Sequence, residues 1–350
     1  MERQKIMITS SVREALEGAM SEIDYDRVYV MADETTAMEC LPRIAGGKGL
    51  ADAPLITIGT GDAHKGLESI AHVWGELGRL GATRHSLLIN IGGGMVTDLG
   101  GFAASTFKRG IKFINIPTTL LAMVDASVGG KTGINFNGLK NEIGVFSNAA
   151  CVIIDTGFLA TMDAENICSG YAEMLKHALI SSEAMWEELV GFDILHPDLR
   201  RLGGMVGASV AVKERIVEQD PTEKGMRKAL NLGHTTGHAF ESFALRRNPI
   251  LHGYAVAYGL VCELYMSAVK TGFPTSRLRQ AAAYIKEHYG TMSFTCDDYE
   301  ELYELMTHDK KNVGGAVVFT LLGDIGDIRI DQRATKEDIY EALDFYREGL

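Results

Sequence analysis

The sequence predicts an α/β amino-terminal domain built on a Rossmann-like, mainly parallel sheet, followed by an all-α carboxy-terminal domain. Up to about residue 158, short β-rich runs alternate with helical stretches, a pattern typical of βαβ units. Beyond that point β-branched runs nearly vanish, and apolar residues recur at helical spacing. We therefore predict an α/β domain over residues 1–158, a helical domain over residues 159–350, and an active site in the cleft between them.

Five short runs rich in β-branched residues predict the strands of the first domain, at residues 27–32, 55–59, 87–91, 113–116 and 152–155. Parallel strands need crossover connections, and the segment 66–80 is long enough for a crossover helix. In the second domain, apolar residues at helical spacing predict helices at residues 172–180, 184–190, 205–218, 235–244, 255–269 and 276–289. The run at 317–322 fits either a late strand or a loop.

Charge limits the class of ligand. The 350-residue chain carries a formal net charge of −12, with 46% hydrophobic and 23% charged residues. This composition describes an ordinary globular protein without a sequence-independent nucleic-acid surface. Residues 101–150 nevertheless hold five basic side chains against two acidic ones: Lys108, Arg109, Lys112, Lys131 and Lys140 against Asp125 and Glu142. Such a local basic site suggests an anionic small molecule, although Lys108 and Lys112, taken singly, fit ordinary solvated lysines better.

The cysteines and the first residues indicate a compartment. The five cysteines are widely spaced and form no C-x-x-C pair: Cys40, Cys151, Cys168, Cys262 and Cys296. A disulfide framework or thiolate zinc site is therefore not expected. The amino terminus lacks an apolar signal segment, and no apolar run has the length of a membrane span. We expect a cytoplasmic protein with no membrane partner.

Histidines supply the first chemical hypothesis, a divalent metal. His234, His238 and His252 lie within 19 residues, and imidazole is the commonest neutral metal ligand. Spacing alone favours His234 and His238, which share one face if the segment is helical. The alternative for any single histidine is a hydrogen-bonded core residue.

A carboxylate in an apolar helix could complete such a site. Glu173 and Lys176 are three residues apart among apolar neighbours, so this helix is predicted to be buried, and a buried carboxylate needs a partner. Glu plus two histidines is a catalytic zinc set. The alternative is a simple surface ion pair between Glu173 and Lys176.

Two glycine-containing segments suggest phosphate binding, and neither matches a standard fingerprint. The segment 92–94 is three glycines that follow a predicted strand, where a helix N-terminus can hold a pyrophosphate. Thr97 stands where the dinucleotide fingerprint needs its last glycine, so an ordinary tight turn is a serious alternative. The segment 125–132 is not a P-loop, because Asp125 stands at its first glycine position. Lys131 and Lys140 remain candidate anion contacts.

Taken together, these residues resemble the 3-dehydroquinate synthase family of sugar-phosphate cyclases, over about residues 28–325. The resemblance rests on ordered motifs: Gly92-Gly-Gly-x-x-x-Asp98-Leu-x-Gly-Phe-Ala-Ala, Arg109-Gly, Pro117-Thr-Thr-Leu-Leu, Val124-Asp-x-Ser-Val-Gly-Gly-Lys-Thr-Gly-Ile-Asn135, Lys140-Asn141, Ala172-Glu-x-x-Lys176, Asn231-Leu-Gly-His-Thr-x-Gly-His238 and His252-Gly253.

The resemblance implies a role for each matching residue. The metal, Zn²⁺ or Co²⁺, is implied to bind Glu173, His234 and His252, so His238 belongs to the substrate site and the spacing hypothesis fails. NAD is implied to contact Asp33, Asp62, Lys65, Gly94, Asp98, Thr118, Thr119, Asp125 and Lys140. The implied catalytic residues are Lys131, Asn141, Lys176, Lys213 and His238. The other implied substrate contacts are Arg109, Arg227, Asn231 and Lys311.

The implied reaction converts 3-deoxy-D-arabino-heptulosonate 7-phosphate to 3-dehydroquinate and phosphate, a step of the shikimate pathway, in a homodimer. Three residues depart from the family pattern: Tyr254 replaces a usual Glu, Thr97 a usual Gly and His177 a usual Tyr. The alternatives are another cyclase such as 2-deoxy-scyllo-inosose synthase, a metal-dependent polyol dehydrogenase of the glycerol dehydrogenase type, and a binding protein that kept the fold without catalysis.

Overall fold

The computed structural model describes residues 4–137, 139–307 and 317–349. The chain forms two compact units. The first unit consists of Met1–Asp163 and Asp198–Glu214, and the second of Ala164–Pro197 and Arg215–Leu350. The two units are therefore interleaved along the chain.

A six-stranded sheet forms the centre of the first unit. Its strands, numbered in chain order with two later hairpin strands, are β1 (Lys5–Thr9), β2 (Val28–Asp33), β3 (Leu55–Ile58), β4 (Leu87–Gly92), β5 (Lys112–Pro117) and β8 (Cys151–Asp155). They pair in the order β1-β8-β5-β4-β2-β3, and every pairing is parallel. Strands β2, β4 and β8 are buried along their whole length, as expected for a sheet that helices cover on both faces.

The five predicted strands and the parallel sheet are confirmed, and the sheet also contains the edge strand β1, which was not predicted. The helices of this unit are α1 (Val12–Ser21), α2 (Glu34–Glu39), α3 (Leu67–Arg79) and α4 (Gly94–Thr106). Strands β6 (Lys131–Phe136) and β7 (Leu139–Phe146) form a separate antiparallel hairpin. All residues of β7 are exposed.

The second unit is mostly helical. Its helices are α5 (Ala164–Leu179), α6 (Glu183–Val190), the last part of α7 (Leu199–Gln219), α8 (His234–Leu245), α9 (His252–Thr271), α10 (Thr275–Tyr289), α11 (Tyr299–Thr307) and α12 (Lys336–Glu348). The all-α prediction is wrong in one respect, because β9 (Val317–Asp324) and β10 (Asp327–Ala334) form an antiparallel hairpin. The ambiguous run at 317–322 is thus a strand. No helix in the described part of the chain is long and apolar enough to cross a membrane.

Candidate functional site

The carboxyl ends of the parallel strands gather most of the residues expected to bind NAD. Asp33 ends β2, Lys65 follows β3, Gly94 follows β4 and Thr118 follows β5. Since these strands are parallel neighbours, their carboxyl ends lie along one edge of the sheet. From β2 the chain passes to β3 on one side, and from β3 it crosses back to β4 on the other side of β2. Ligands of open α/β sheets bind at such a reversal of strand order.

The glycine turn between β4 and α4 leaves little room for side chains. A Cβ added to Gly93 would lie 3.1 Å from Thr119 Cγ2, and one added to Gly94 would lie 3.1 Å from Ala126 Cβ. No side chain of the described residues caps the N-terminus of α4, so its first N–H groups face outward along the helix axis. A pyrophosphate suits such a helix end.

Thr97 fits this turn without filling the space in front of it. Its side chain is buried, and its hydroxyl donates to the carbonyl oxygen of Gly94 at 3.1 Å. The hydroxyl therefore bonds within the first turn of α4. This departure from the family pattern leaves the outward-facing backbone of the turn unobstructed.

Lys65 connects two parts of the edge. Its ammonium donates to Asp98 Oδ2 at 2.6 Å and to Asn141 Oδ1 at 2.5 Å, and Lys65 is buried. Burial raises the pKa of Asp98, and the charge of Lys65 counteracts that rise. Asp98, expected at the NAD site, and Asn141, expected at the phosphate, thus both accept from the Lys65 ammonium.

The β6–β7 hairpin is tied to the loop after β3. Asn135 Nδ2 donates to Asp62 Oδ2 at 3.1 Å, and the Lys140 ammonium lies 3.5 Å from the same carboxylate oxygen. The backbone N–H of Asn141 donates to Asn135 Oδ1 at 2.9 Å. Asn141 adopts a left-handed conformation, with φ of 51°, which Asn tolerates better than most residues. Lys131 begins β6 with an exposed side chain.

Helix α7 adds another cation to the first unit. The Lys213 ammonium donates to both the side chain and the backbone carbonyl of Asp125, each at 2.6 Å. Lys213 is buried, whereas about a quarter of the Asp125 side chain is exposed. This pair brings together a residue assigned to the substrate and one assigned to the nicotinamide.

One predicted contact of this unit also caps a helix, and another lies away from the nucleotide edge. Asp33 caps α2, because its carboxylate accepts from the backbone N–H of Thr36 at 2.8 Å. Arg109 lies beyond the carboxyl end of α4. A helix of 13 residues is about 20 Å long, so Arg109 is not gathered with Gly94 at the nucleotide edge.

In the second unit, three helices bring Glu173, His234 and His252 together. The Nε2 atoms of His234 and His252 lie 3.3 Å and 3.5 Å from Glu173 Oε1. Glu173 is fully buried, and its Oε1 has no hydrogen-bond partner among the described residues. Its other oxygen, Oε2, accepts from the equally buried Lys176. Oxygen and two imidazole nitrogens facing one another are a donor set that fits Zn²⁺ or Co²⁺.

Both imidazoles use Nδ1 as a donor. His234 Nδ1 lies 3.1 Å from the carbonyl oxygen of Leu232, and His252 Nδ1 lies 3.1 Å from Glu241 Oε2. A carbonyl and a carboxylate can only accept, so both Nδ1 atoms carry a proton. In a neutral imidazole this leaves the Nε2 lone pair directed at Glu173.

Burial and neighbouring charges shift the pKa values of the cluster residues in opposite directions. Burial would raise the pKa of Glu173, but Lys176 and His234 hold it well below its usual range. Burial and the charge of Lys176 lower the pKa of His234 to about 4. Burial also acts to lower the pKa of His252, yet the nearby carboxylates of Glu173 and Glu241 outweigh it and raise the pKa to about 10.

His238 also lies in this cluster. Donor atoms of His234, His238 and His252 all lie within 4.8 Å of one another, and the His238 ring centroid is 5.3 Å from that of His234. The structure thus gathers the pair favoured by spacing together with the histidine favoured by the resemblance. Glu173 Oε1 is close to Nε2 of both His234 and His252, which is the arrangement that the resemblance implies.

Glycines let the three helices approach closely enough to share these ligands. A Cβ on Gly253 would lie 1.8 Å from the carbonyl oxygen of Ser169, so the first turn of α9 rests on the backbone of α5. A Cβ on Gly259 would lie 2.0 Å from the carbonyl oxygen of Gly233, so α9 also rests on the start of α8. No larger residue fits at either contact.

The remaining substrate residues of this unit lie in the segment before α8. Arg227 is buried and donates to the Pro221 carbonyl oxygen at 2.8 Å. Asn231 donates to Glu223 Oε1 at 3.0 Å. Lys311 lies outside the described residues.

The two other departures occupy buried or aromatic surroundings. The Tyr254 ring packs edge-on to Tyr289 with centroids 5.1 Å apart, and burial raises the pKa of Tyr254 above its usual value. His177 is fully buried on α5. Sequence reasoning missed Glu241, although its spacing of three residues from His238 and seven from His234 places it on their helical face.

Family models match most of the chain. A model described as the N-terminal part of 3-dehydroquinate synthase matches residues 55–169, and one described as the C-terminal part matches residues 170–312. A 3-dehydroquinate synthase from Parabacteroides distasonis is 55% identical over 351 residues, covering 100% of this chain and 99% of its own. The chain belongs to the 3-dehydroquinate synthase family. The resemblance seen in the sequence motifs is confirmed.

Solved structures share the fold. A 2-epi-5-epi-valiolone synthase from Streptomyces hygroscopicus subsp. jinggangensis 5008, with NAD⁺ and Zn²⁺ bound, has a TM-score of 0.87 at 23% identity, covering 100% of this chain and 98% of its own. A 2-deoxy-scyllo-inosose synthase complexed with carbaglucose-6-phosphate, NAD⁺ and Co²⁺ has a TM-score of 0.83 at 21% identity, covering 99% and 96%. At these identities the likeness concerns the fold, and it confirms the predicted class.

Proposed function

We propose that the protein is a 3-dehydroquinate synthase, a phosphate-eliminating lyase that converts 3-deoxy-D-arabino-heptulosonate 7-phosphate to 3-dehydroquinate and phosphate. Family membership over the whole chain supports this activity. The structural observation that carries the proposal is the buried Glu173 Oε1, which has no hydrogen-bond partner among the described residues and faces two imidazole nitrogens. A divalent cation would satisfy all three atoms.

Two bound groups belong to the proposal, NAD and Zn²⁺ or Co²⁺. When bound, NAD would accept a hydride from a substrate carbon and later return it, while the metal would acidify the hydroxyl on that carbon. Glu173, His234 and His252 would hold the metal. The carboxyl edge of the sheet, from Asp33 to Thr119, would hold NAD, with the pyrophosphate on the N-terminus of α4.

The cations of the chain would recognise the anionic substrate. Lys131, Asn141 and Lys176 would bind the phosphate that leaves, because ammonium and amide groups donate to its oxygens. Arg227 would bind the substrate carboxylate, since a planar guanidinium can donate two parallel hydrogen bonds. Its contact with the Pro221 carbonyl oxygen supports this role by fixing one side of the guanidinium.

Lys213, Asn231 and His238 would contact substrate hydroxyl groups. Lys213 is held by Asp125, so its ammonium has a defined position. The presence of His238 within the histidine cluster supports a role in proton transfer near the metal. Lys311 completes the proposed substrate contacts, whereas the position of Arg109 beyond the carboxyl end of α4 does not support the contact implied for it.

A homodimer and a cytoplasmic location complete the proposal. Strand β7 supports the homodimer, because it is exposed along its length and presents apolar residues, including Leu139 at 55% exposure and Phe146 at 44%. Exposed apolar edge strands commonly pair with another chain. The five cysteines are free thiols, which supports a reducing compartment.

Phosphate release tests the activity. The purified protein, loaded with Zn²⁺ and NAD, should release phosphate and 3-dehydroquinate in equal amounts from the heptulosonate phosphate. It should release none from glucose 6-phosphate, and absorbance at the NADH band should not accumulate, because the hydride returns to the substrate in each turnover. Turnover of glucose 6-phosphate would instead favour a 2-deoxy-scyllo-inosose synthase, and stoichiometric NADH a polyol dehydrogenase. No reaction with any substrate would favour a binding protein.

A further inference from the structure

Glu241 is a buried carboxylate of α8 that contacts a proposed metal ligand on another helix. About a tenth of its side chain is exposed, and its Oε2 lies 3.1 Å from His252 Nδ1. Because a carboxylate can only accept, Nδ1 must donate the hydrogen. The contact therefore determines which nitrogen of His252 keeps the proton.

The two histidine ligands are oriented in different ways. His234 Nδ1 donates to the carbonyl oxygen of Leu232, two residues earlier on its own chain segment. His252 instead relies on a side chain from a different helix, and its own side chain is 28% exposed, against 11% for His234. The orientation of His252 is therefore the one that a single substitution can change.

The backbone of His252 is held separately from its ring. The next residue, Gly253, donates its N–H to Ser169 Oγ at 3.1 Å and rests on the backbone of α5. The position of α9 against the helix that carries Glu173 thus does not depend on Glu241. Loss of the Glu241 carboxylate should free the ring of His252 while leaving the helix in place.

Tyr254, two residues after His252, does not supply a comparable contact. Its ring packs against Tyr289. Tyr254 brings no carboxylate to this part of the site. Glu241 supplies one from α8.

We propose that Glu241 is a positioning residue for the metal site: its carboxylate fixes the Nδ1–H tautomer of His252, directs Nε2 toward the metal and makes the imidazole a stronger ligand. The inference rests on the proposed function, because it requires a metal at Glu173, His234 and His252. Carboxylates that accept from a metal-bound imidazole increase its basicity, and their removal typically weakens metal binding about 10–100-fold.

The test compares metal affinity in Glu241→Ala, Glu241→Gln and the matched control Ser242→Ala, an exposed neighbour on the same helix. Zn²⁺ and Co²⁺ dissociation constants are measured by competition with a chelator. We expect Glu241→Ala to bind about 10–100-fold more weakly than the wild type. Glu241→Gln should lie between them, because the amide oxygen still accepts from Nδ1 but lacks the charge. Ser242→Ala should match the wild type.

A second readout separates orientation from folding. The visible absorption of bound Co²⁺ should change in Glu241→Ala, because its imidazole ligand is no longer held, while the metal-free variant should still unfold in one cooperative thermal transition. If Glu241→Ala does not fold, Glu241→Gln alone decides. Affinities within twofold of the wild type in the folded variants would overturn the inference and leave the proposed function intact. A wild type that binds no metal would overturn both.

Discussion

The nucleotide edge of the first unit and the metal cluster of the second are built in different ways. At the edge, loops after parallel strands present backbone groups, and Gly93 and Gly94 matter because side chains there would be crowded by Thr119 and Ala126. In the cluster, single side chains from α5, α8 and α9 converge on one oxygen of Glu173. A site made of backbone distributes binding over many groups, whereas a site made of three side chains depends on each.

The two regions also differ in whether the protein itself pairs their buried charges. Lys65 donates to both Asp98 and Asn141, so the first region pairs its cation internally. In the second, Lys176 occupies Glu173 Oε2, whereas Oε1 has no hydrogen-bond partner among the residues described. The second region therefore has a place for an external cation.

Replacement of His252 should have the largest effect. His252→Ala removes one of three metal ligands, so metal should be lost and turnover should fall about a thousandfold or more, since the metal supplies several kcal/mol to the reaction. The affinity for NAD should not change, because the nucleotide edge belongs to the first unit. Metal content after gel filtration, the rate of phosphate release and NAD titration measure the three effects.

The control is His196→Ala, because His196 is a histidine of the second unit whose side chain is 85% exposed. This variant should keep its metal. Stoichiometric metal in His252→Ala would show that the ligand set is wrong, and loss of NAD affinity would show that the two regions are not independent.

Replacement of Lys65 should affect the first region alone. Lys65→Met leaves the buried Asp98 carboxylate without its cation, which should lower the free energy of unfolding by about 3 kcal/mol and weaken NAD binding. Metal content should be that of the wild type. Urea denaturation and NAD titration measure these changes.

An exposed ion pair of the same unit provides the control. Arg79 pairs with Glu76 on α3, and 66% of its side chain is exposed. Arg79→Gln should leave stability unchanged, because water already solvates both charges. Equal effects of the two substitutions would mean that burial of Lys65 contributes nothing.

The contrast between a site built from backbone loops and a site built from converging side chains also explains how much of the structure the sequence could predict. The five predicted strands and the glycine turn are local patterns, and β4 with its turn is contiguous in the chain. The hairpin strand β7 was missed because it is exposed along its length, so it lacks the apolar alternation that identifies a strand. Strand β1 is short and partly exposed, and it gives an equally weak pattern.

Local sequence patterns could not predict contacts between residues that are far apart in the chain. Lys213 meets Asp125 across 88 residues, and Lys65 meets Asn141 across 76. Spacing alone favoured His234 with His238 because they are neighbours on one helix, whereas Glu173 Oε1 is close to Nε2 of His234 and His252. That proximity of Glu173 to His252 arises from helix packing, which a helical period cannot express. The helical period does place Glu241 near His238, because the two residues are three positions apart on α8.

Replacement of Thr97, where the resemblance implies glycine, should have the smallest effect. Thr97→Gly removes a buried side chain and adds backbone freedom in the first turn of α4, which should lower the free energy of unfolding by about 1–2 kcal/mol. NAD affinity should change by less than about fivefold, equivalent to about 1 kcal/mol, because the Thr97 hydroxyl donates to Gly94 within the helix. Thr97→Ser keeps that hydrogen bond and should lie nearer the wild type in stability. Denaturation and NAD titration of both variants give the comparison. A tenfold or larger change in NAD affinity in Thr97→Gly would mean that this side chain, and not only the backbone of the turn, controls nucleotide binding.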